Sequence, residues 1–379
     1  MTRPTAEPSL LEAIPVISLR AYADAHGWKQ IDTYGQNNAV LEKADRGEIV
    51  IPSTTSYADY AETVSRLLAV WADDEQREQL NVLRDIMQVD QDVIRVRAPH
   101  AGLDGSIAIE AGVGMFKNAR EMLLAAACAA KEPRRAYRLG SHKEAQDYIE
   151  TVRLGQTEQG SYIVTLLSPV PAPSEGEVPL IAEDPAYEPF QRRVTTTLVS
   201  SLKSAHRIAQ ASMNGAAASA FDGTVAQGVN ANLCDALAAL IDEGAGLDIS
   251  VSWAPLLPSL KKSSTVRFGK DEAKALREGA VYLRSSEPRD VDRLEGYVSA
   301  FGRELDRNDG HITLKAVVDG KLSSVQANVP VTVYERAAEA HLDRKTVTVA
   351  GKLEKRGQRW HLEGAHNFQI VEELDDHYD

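Results

Sequence analysis

Apolar residues recur at every third or fourth position between residues 190 and 213: Phe190, Val194, Leu198, Leu202, Ala205, Ala209 and Met213. That spacing places them along one side of a helix, and Asn214-Gly215 supplies a stop. A second Ala/Leu-rich helix is expected over residues 225–243, closed by Gly244. A different pattern stands upstream. Residues 155–160 form a polar turn carrying Gln156, Thr157 and Glu158, and residues 162–167 are a nearly unbroken apolar run of β type. Ser168-Pro169 ends it, because proline donates no ladder hydrogen bond. A run without alternation predicts a strand covered on both faces, inside a sheet.

Around these two stretches the chain divides into an α+β protein of several parts. Residues 1–16 are Pro-rich and read as a flexible N-terminus. Over residues 17–90 the pattern predicts a helix ended by Gly27 and a hairpin of strands 38–43 and 47–51 turned at Asp45-Arg46-Gly47. A helix with Leu67, Leu68 and Trp71 on one face follows, then a second over 75–87. This small α-β-β-α unit, with Gly27-Trp28 at its first corner, resembles HicA-type toxins and double-stranded RNA-binding domains. HicA-type toxins cut RNA with a histidine on the first strand. Here that strand reads Gln36-Asn37-Asn38, so the resemblance implies a binding or structural relative.

Residues 91–290 read as a central domain with a mixed sheet, into which the helix pair is inserted. Strand 94–98, Ala98-Pro99, a Gly-rich loop, a short strand 106–110 and a helix 115–130 are echoed later. The echo is strand 249–253, Ala254-Pro255, strand 264–268 and helix 270–283. Arg153-Leu154 before Gly160-Ser161-Tyr162 is echoed by Arg293-Leu294 before Gly296-Tyr297. An internal duplication of residues 92–171 and 248–302 would account for both. A Pro-rich, acidic linker, residues 169–189, separates the halves. Residues 291–371 alternate as strands 311–318, 322–329, 346–353 and 359–370, with a helix 334–341 between the second and third. With its charged turn at Lys355-Arg356-Gly357-Gln358 before Trp360, this part resembles an OB-type barrel. That resemblance implies either single-stranded nucleic-acid binding or a protein-protein module. Residues 372–379 form an acidic tail, expected to be disordered. The stretch LGQTEQGSY…TLLSPVP together with the β-rich C-terminus also resembles an uncharacterised bacterial protein family, which implies no activity.

Composition narrows the function classes. A formal net charge of −13 disfavours coating of duplex DNA by bulk charge, while leaving room for a local basic face. Two cysteines, Cys128 and Cys234, both in apolar helical runs, read as buried thiols in a reducing compartment. With no leader-like start and no long apolar run, the expected setting is the bacterial cytoplasm, away from membranes. No phosphate-binding loop, dinucleotide fingerprint, nucleophile elbow or zincin motif occurs, so no cofactor is expected. His361 and His366 lack a third ligand nearby, and no metal site is expected from them.

Three constellations remain. His100, Asp104 and Glu158 could act as an acid/base cluster if their loops converge. Arg153, Gln156 and Thr157, with Arg192 and Arg193, suit contacts to phosphate or base edges. Lys352, Lys355, Arg356, Arg359 and Trp360 form a basic cluster with an aromatic, the pattern of a single-strand-binding surface. The leading expectation is a non-catalytic binding or accessory protein of a bacterial nucleic-acid-linked system, in defence or processing. One alternative is an enzyme of unfamiliar type at residues 153–158. The other is a scaffold subunit that meets a protein partner through helices 190–243.

Overall fold

The computed structural model describes residues 7–99, 106–138, 142–156, 162–171, 188–259, 263–303, 309–356 and 359–371. Three separate apolar cores organise them.

The first core belongs to α1 (Pro8–Glu12), α2 (Val16–Ala25), β1 (Lys29–Tyr34), β2 (Asn38–Lys43), β3 (Gly47–Ile51), α3 (Tyr60–Glu75) and α4 (Gln79–Ile86). The strands form an antiparallel sheet in the order β1-β2-β3. Leu41, Ile49 and Ile51 pack under Leu67, Leu68 and Trp71. The expected α-β-β-α order is corrected here, because β1 is a third strand. Its sequence KQIDTY is exposed at every position, so no buried face wrote an alternation into it.

The second core is built by β4 (Gln91–Arg97), α5 (Ile109–Lys131), α6 (Lys143–Thr151), β5 (Arg153–Leu154), β6 (Ile163–Pro169), α7 (Phe190–Met213), α8 (Ala231–Asp242), β7 (Gly246–Ser252), β8 (Ser264–Gly269) and α9 (Glu272–Ser286). The sheet order is β5-β6-β4-β7-β8, and every pair is antiparallel rather than mixed. β6 is an internal strand with five successive buried residues, as its apolar run predicts. One sheet face sends Ile94, Val96, Val164, Leu166, Ile249 and Phe268 into the helices.

Three details differ from the sequence pattern. Residues 106–108 are not a strand, and α5 begins at Ile109. A 3-10 segment, Ala218–Gln227, occupies the start of the expected second helix, so α8 begins only at Ala231, where Asn230 Oδ1 accepts from the Leu233 N–H as N-cap. The proposed duplication also fails in element order. After β4 the chain makes two helices before β6, whereas β7 leads directly to β8. The Arg293-Leu294 echo lies in a different sheet altogether.

The apolar stripe of α7 and α8 faces the chain's own core. Among the described residues of this pair, Met213 is the one large apolar side chain left substantially exposed. Both thiols are buried, and burial pushes Cys128 up to about 11 and Cys234 well above the usual thiol range. They are inert structural residues. No helix among the described residues is long and apolar enough to cross a membrane.

The third core fills a closed five-stranded barrel of β9 (Arg289–Gly302), β10 (Asp309–Val318), β11 (Lys321–Pro330), β12 (Thr346–Arg356) and β13 (Arg359–Ile370), with α10 (Val331–Leu342) between β11 and β12. The circuit runs β9-β10-β11-β13-β12 and returns to β9. All pairs are antiparallel except β11 with β13. β9 closes the barrel by serving both neighbours: its first half pairs with β12 and its second half with β10. The crossover needs Gly296, where a Cβ would lie 2.3 Å from the Lys315 carbonyl oxygen.

Candidate nucleic-acid interface

Alternation along β10 and β11 turns Ile312, Leu314, Val325 and Ala327 into the barrel and leaves Thr313, Lys315, Ser324 and Gln326 on its outside. The register sets these outward residues side by side. Thr313 pairs with Gln326, and Gln326 pairs with His361 of β13. Lys315 pairs with Ser324 on one side and with Tyr297 of β9 on the other. Across this face lies a groove of about 800 Å³. Thr313, Ser324 and Gln326 supply its neutral polar surface, and Lys321, Lys355 and Arg359 supply its positive charge. Hydroxyl and amide groups beside cations can contact phosphate and base edges together.

The local charge suits this reading better than the whole chain does. Residues 289–371 hold 13 Lys/Arg against 12 Asp/Glu, so the −13 of the full chain lies outside the barrel. Asp319, at the β10–β11 turn, is held by Arg289 at 2.7 Å.

Of the five barrel residues singled out in the sequence, Lys355, Arg359 and Trp360 line the groove. Lys352 does not, and in the ladder it stands opposite Glu363. Arg356 is bonded to Glu354 and to Glu363, so its donors serve carboxylates of its own hairpin. Trp360 needs the larger correction. It is only 7% exposed and belongs to the barrel core, with Lys355 Nζ 5.6 Å and Arg289 Cζ 5.8 Å from its ring centre. An indole so placed anchors two cations and offers no open face to a base. Tyr297 of β9, opposite Lys315, is an exposed aromatic at 49%, next to the groove's strands but not part of its lining. Sequence reading missed Tyr297, Thr313, Lys315, Lys321, Ser324 and Gln326. Four of the six, Thr313, Lys315, Ser324 and Gln326, lie at alternating polar positions of strands that it found, which was the signal available; Tyr297 and Lys321 lie outside those strands.

The other candidates have structural roles or fall outside the description. Arg192 is 2% exposed and not offered to a ligand. Its Nε and Nη2 donate to the two carboxylate oxygens of Asp92, each at 2.9 Å, and Nη2 also donates to the Leu257 carbonyl. Thr195 Oγ1 and the Ala254 N–H donate to the same carboxylate. Burial raises the Asp92 carboxyl above its ordinary value, and these donors, Arg192 foremost, pull the other way. Arg193 lies over the Phe190 ring, 5.4 Å from its centre. Arg153 Nη1 donates to the Glu150 carbonyl at 2.6 Å, closing the C-terminal end of α6. Gln156 accepts from Arg84 of α4, a link between the first and second parts of the chain. His100, Asp104, Thr157 and Glu158 lie outside the described residues. Among the described residues no three His, Cys, Asp or Glu side chains gather as metal ligands.

The groove has a fixed position relative to the central helices. Arg135 donates to Asp222 at 2.9 Å, to the Ser286 carbonyl at 3.3 Å and across to Glu354 of the barrel at 3.2 Å. Lys355 Nζ also lies 5.9 Å from the Tyr282 ring centre on α9. Burial pushes the Glu354 carboxyl up, but hydrogen bonds from Arg135 and Arg356 outweigh it and hold the group below its ordinary value. A lowered carboxylate pKa contributes stability in full above the unfolded value, about 4.3, and loses it as pH falls through the folded value. Thermal melts between about pH 6 and about pH 3 should therefore show wild type falling toward Glu354→Gln as acid is added. A constant gap across that range would remove the ion pair from the account.

No protein-family model, curated protein or solved structure matches the chain.

Proposed function

We infer that the C-terminal barrel binds single-stranded nucleic acid across β10 and β11, and that the chain acts as a non-catalytic accessory protein of a nucleic-acid-linked system. The observation that carries this is the polar, cationic groove on the outer face of those two strands. The barrel's connectivity supports it. Five strands close in the circuit first-second-third-fifth-fourth, with the third and fifth parallel and a helix before the fourth. That order resembles the plan of an OB-type barrel, in which the second and third strands are a recurrent oligonucleotide surface. Likeness of plan does not fix function, so the side chains must carry the argument. Here they are three cations, two hydroxyls and an amide on one face, with Tyr297 available for stacking.

The test is fluorescence anisotropy of the full chain with labelled single-stranded DNA and RNA oligonucleotides over a salt series. The slope of log affinity against log salt should be about −0.7 for each phosphate neutralised. Lys355→Glu with Arg359→Glu should weaken binding by more than about tenfold and flatten the slope by about 1.4. Absence of binding to either polymer at low salt would discard the reading, and so would binding indifferent to the double charge reversal.

A further inference from the structure

The N-terminal unit carries a second groove, remote in sequence from the barrel. β3 is an edge strand of its sheet, and no hydrogen bond from another described segment reaches its outer backbone. α3 runs alongside that edge. Between them lies a groove of about 680 Å³, the strand side marked by Glu48 and Val50 and the helix side by Asp59, Arg66 and Val70. Ile49 and Leu67 also line it, both buried.

The two edges of this sheet are treated differently. Free edges invite pairing, and proteins blunt them with bulges, charges or proline. β1, the other edge, has a register shift between Gln30 and Asp32 and carries Lys29 and Asp32. β3 pairs with β2 in unbroken register, has no lysine, and meets proline only at Pro52, after its end. Val50 and Val70 are exposed at 41% and 39% on the two walls, and Tyr34 at 70% by the mouth. An unguarded strand edge beside a helix, with apolar side chains in the cleft between, is the geometry of strand addition by an extended peptide.

Charge selects the occupant. Among the described residues Glu48 makes no ion pair. Arg66, the one cation of the described lining, is held by Glu62 at 2.5 Å. Asp59 adds a further negative charge at the start of α3. The acidic tail of this chain, EELDDHYD, is therefore repelled, and the groove calls for a basic segment. We propose that the groove between β3 and α3 binds an extended basic segment of a partner protein, added as a fourth strand along β3. In that segment aliphatic side chains alternate with lysine or arginine. The aliphatic ones cover Val70 and Leu67, and the basic ones meet Glu48 on the opposite face. β3 has room for about five residues at roughly 3.4 Å each.

The test uses the full chain and a labelled peptide, Lys-Val-Arg-Val-Lys-Val, against Glu-Val-Glu-Val-Glu-Val and a copy of the basic peptide N-methylated at alternate amides. Saturable binding of the basic peptide is expected, with slowed amide hydrogen exchange on β3. Losses of at least about tenfold are expected for the acidic peptide, the methylated peptide, Glu48→Lys and Val70→Asp. Glu48 and Val70 are exposed, so circular dichroism should show both variants folded. Lys355→Glu with Arg359→Glu should bind the peptide normally, which separates this site from the barrel. No saturable binding, no protection of β3, or indifference to Glu48→Lys and N-methylation would each overturn the proposal. So would sedimentation as a dimer that Val70→Asp dissolves, because the occupant would then be a second copy of this chain.

Discussion

Asp92→Ala is expected to lower folding stability by about 3–5 kcal/mol, read from the urea midpoint. The substitution leaves Arg192 charged, almost fully buried, and without the carboxylate that meets two of its donors. It also leaves the Ala254 N–H and the Thr195 hydroxyl without that acceptor. The cost comes from stranded polar groups more than from the intrinsic worth of the pair, because a buried ion pair gives back in attraction much of what desolvation takes. The double variant Asp92→Leu with Arg192→Met should therefore recover most of the loss. A single variant within about 1 kcal/mol of wild type would mean that water reaches the site and that the pair is weaker than its geometry. A double variant worse than either single would mean that the network specifies the path of residues 254–257 over β4.

Trp360→Ala is expected to destabilise the barrel by about 3–5 kcal/mol, the usual cost of truncating a buried large aromatic. The ring sits in the core between β12 and β11, its register partners being Lys355 and Val325. Loss of nucleic-acid binding in this variant would thus report an unfolded barrel, not a lost stacking contact. Tyr297→Ala is the clean comparison. Tyr297 is half exposed and beside Lys315, so its removal should leave the melting temperature unchanged and cost about 1–3 kcal/mol of binding per stacked base. If Trp360→Ala kept its melting temperature but lost binding, stacking would return to the indole.

How much of this was legible depends on what each element buries. α7 was readable to the residue at both ends because one face meets a core and the other does not. β10 and β11 were readable because strict alternation separates inside from outside. β1 was invisible because neither of its faces is covered. The start of α8 was misplaced because the Ala-rich 3-10 segment before it has the composition of a helix. The same limit governed the site. A basic cluster with a tryptophan is visible in a sequence, but whether that tryptophan faces solvent depends on which strand lies beyond it. Arg192 shows the limit most plainly. Acidic residues stand close by in sequence at positions 183, 184 and 188, yet its carboxylate comes from Asp92, far upstream on β4. Local pattern reports which residues must be buried, not which distant polar group will be buried with them.

The order of the central sheet has a consequence for synthesis. The first unit closes within residues 8–86 and the barrel within 289–370, so each can fold soon after its own segment is made. β4 cannot. Its Val93 pairs with Leu167 on one side and Ser252 on the other, and the helices that cover Ile94 and Val96 come later in the chain. At about 5–20 residues per second, β4 waits roughly 8–30 s between leaving the ribosome and meeting β7. For that interval an apolar strand stands beside an already folded domain, without either neighbour until β6 is made and without β7 after that. The nascent chain is thus most exposed to misassembly at its middle, and a chain released before residue 246 keeps that strand permanently without one neighbour.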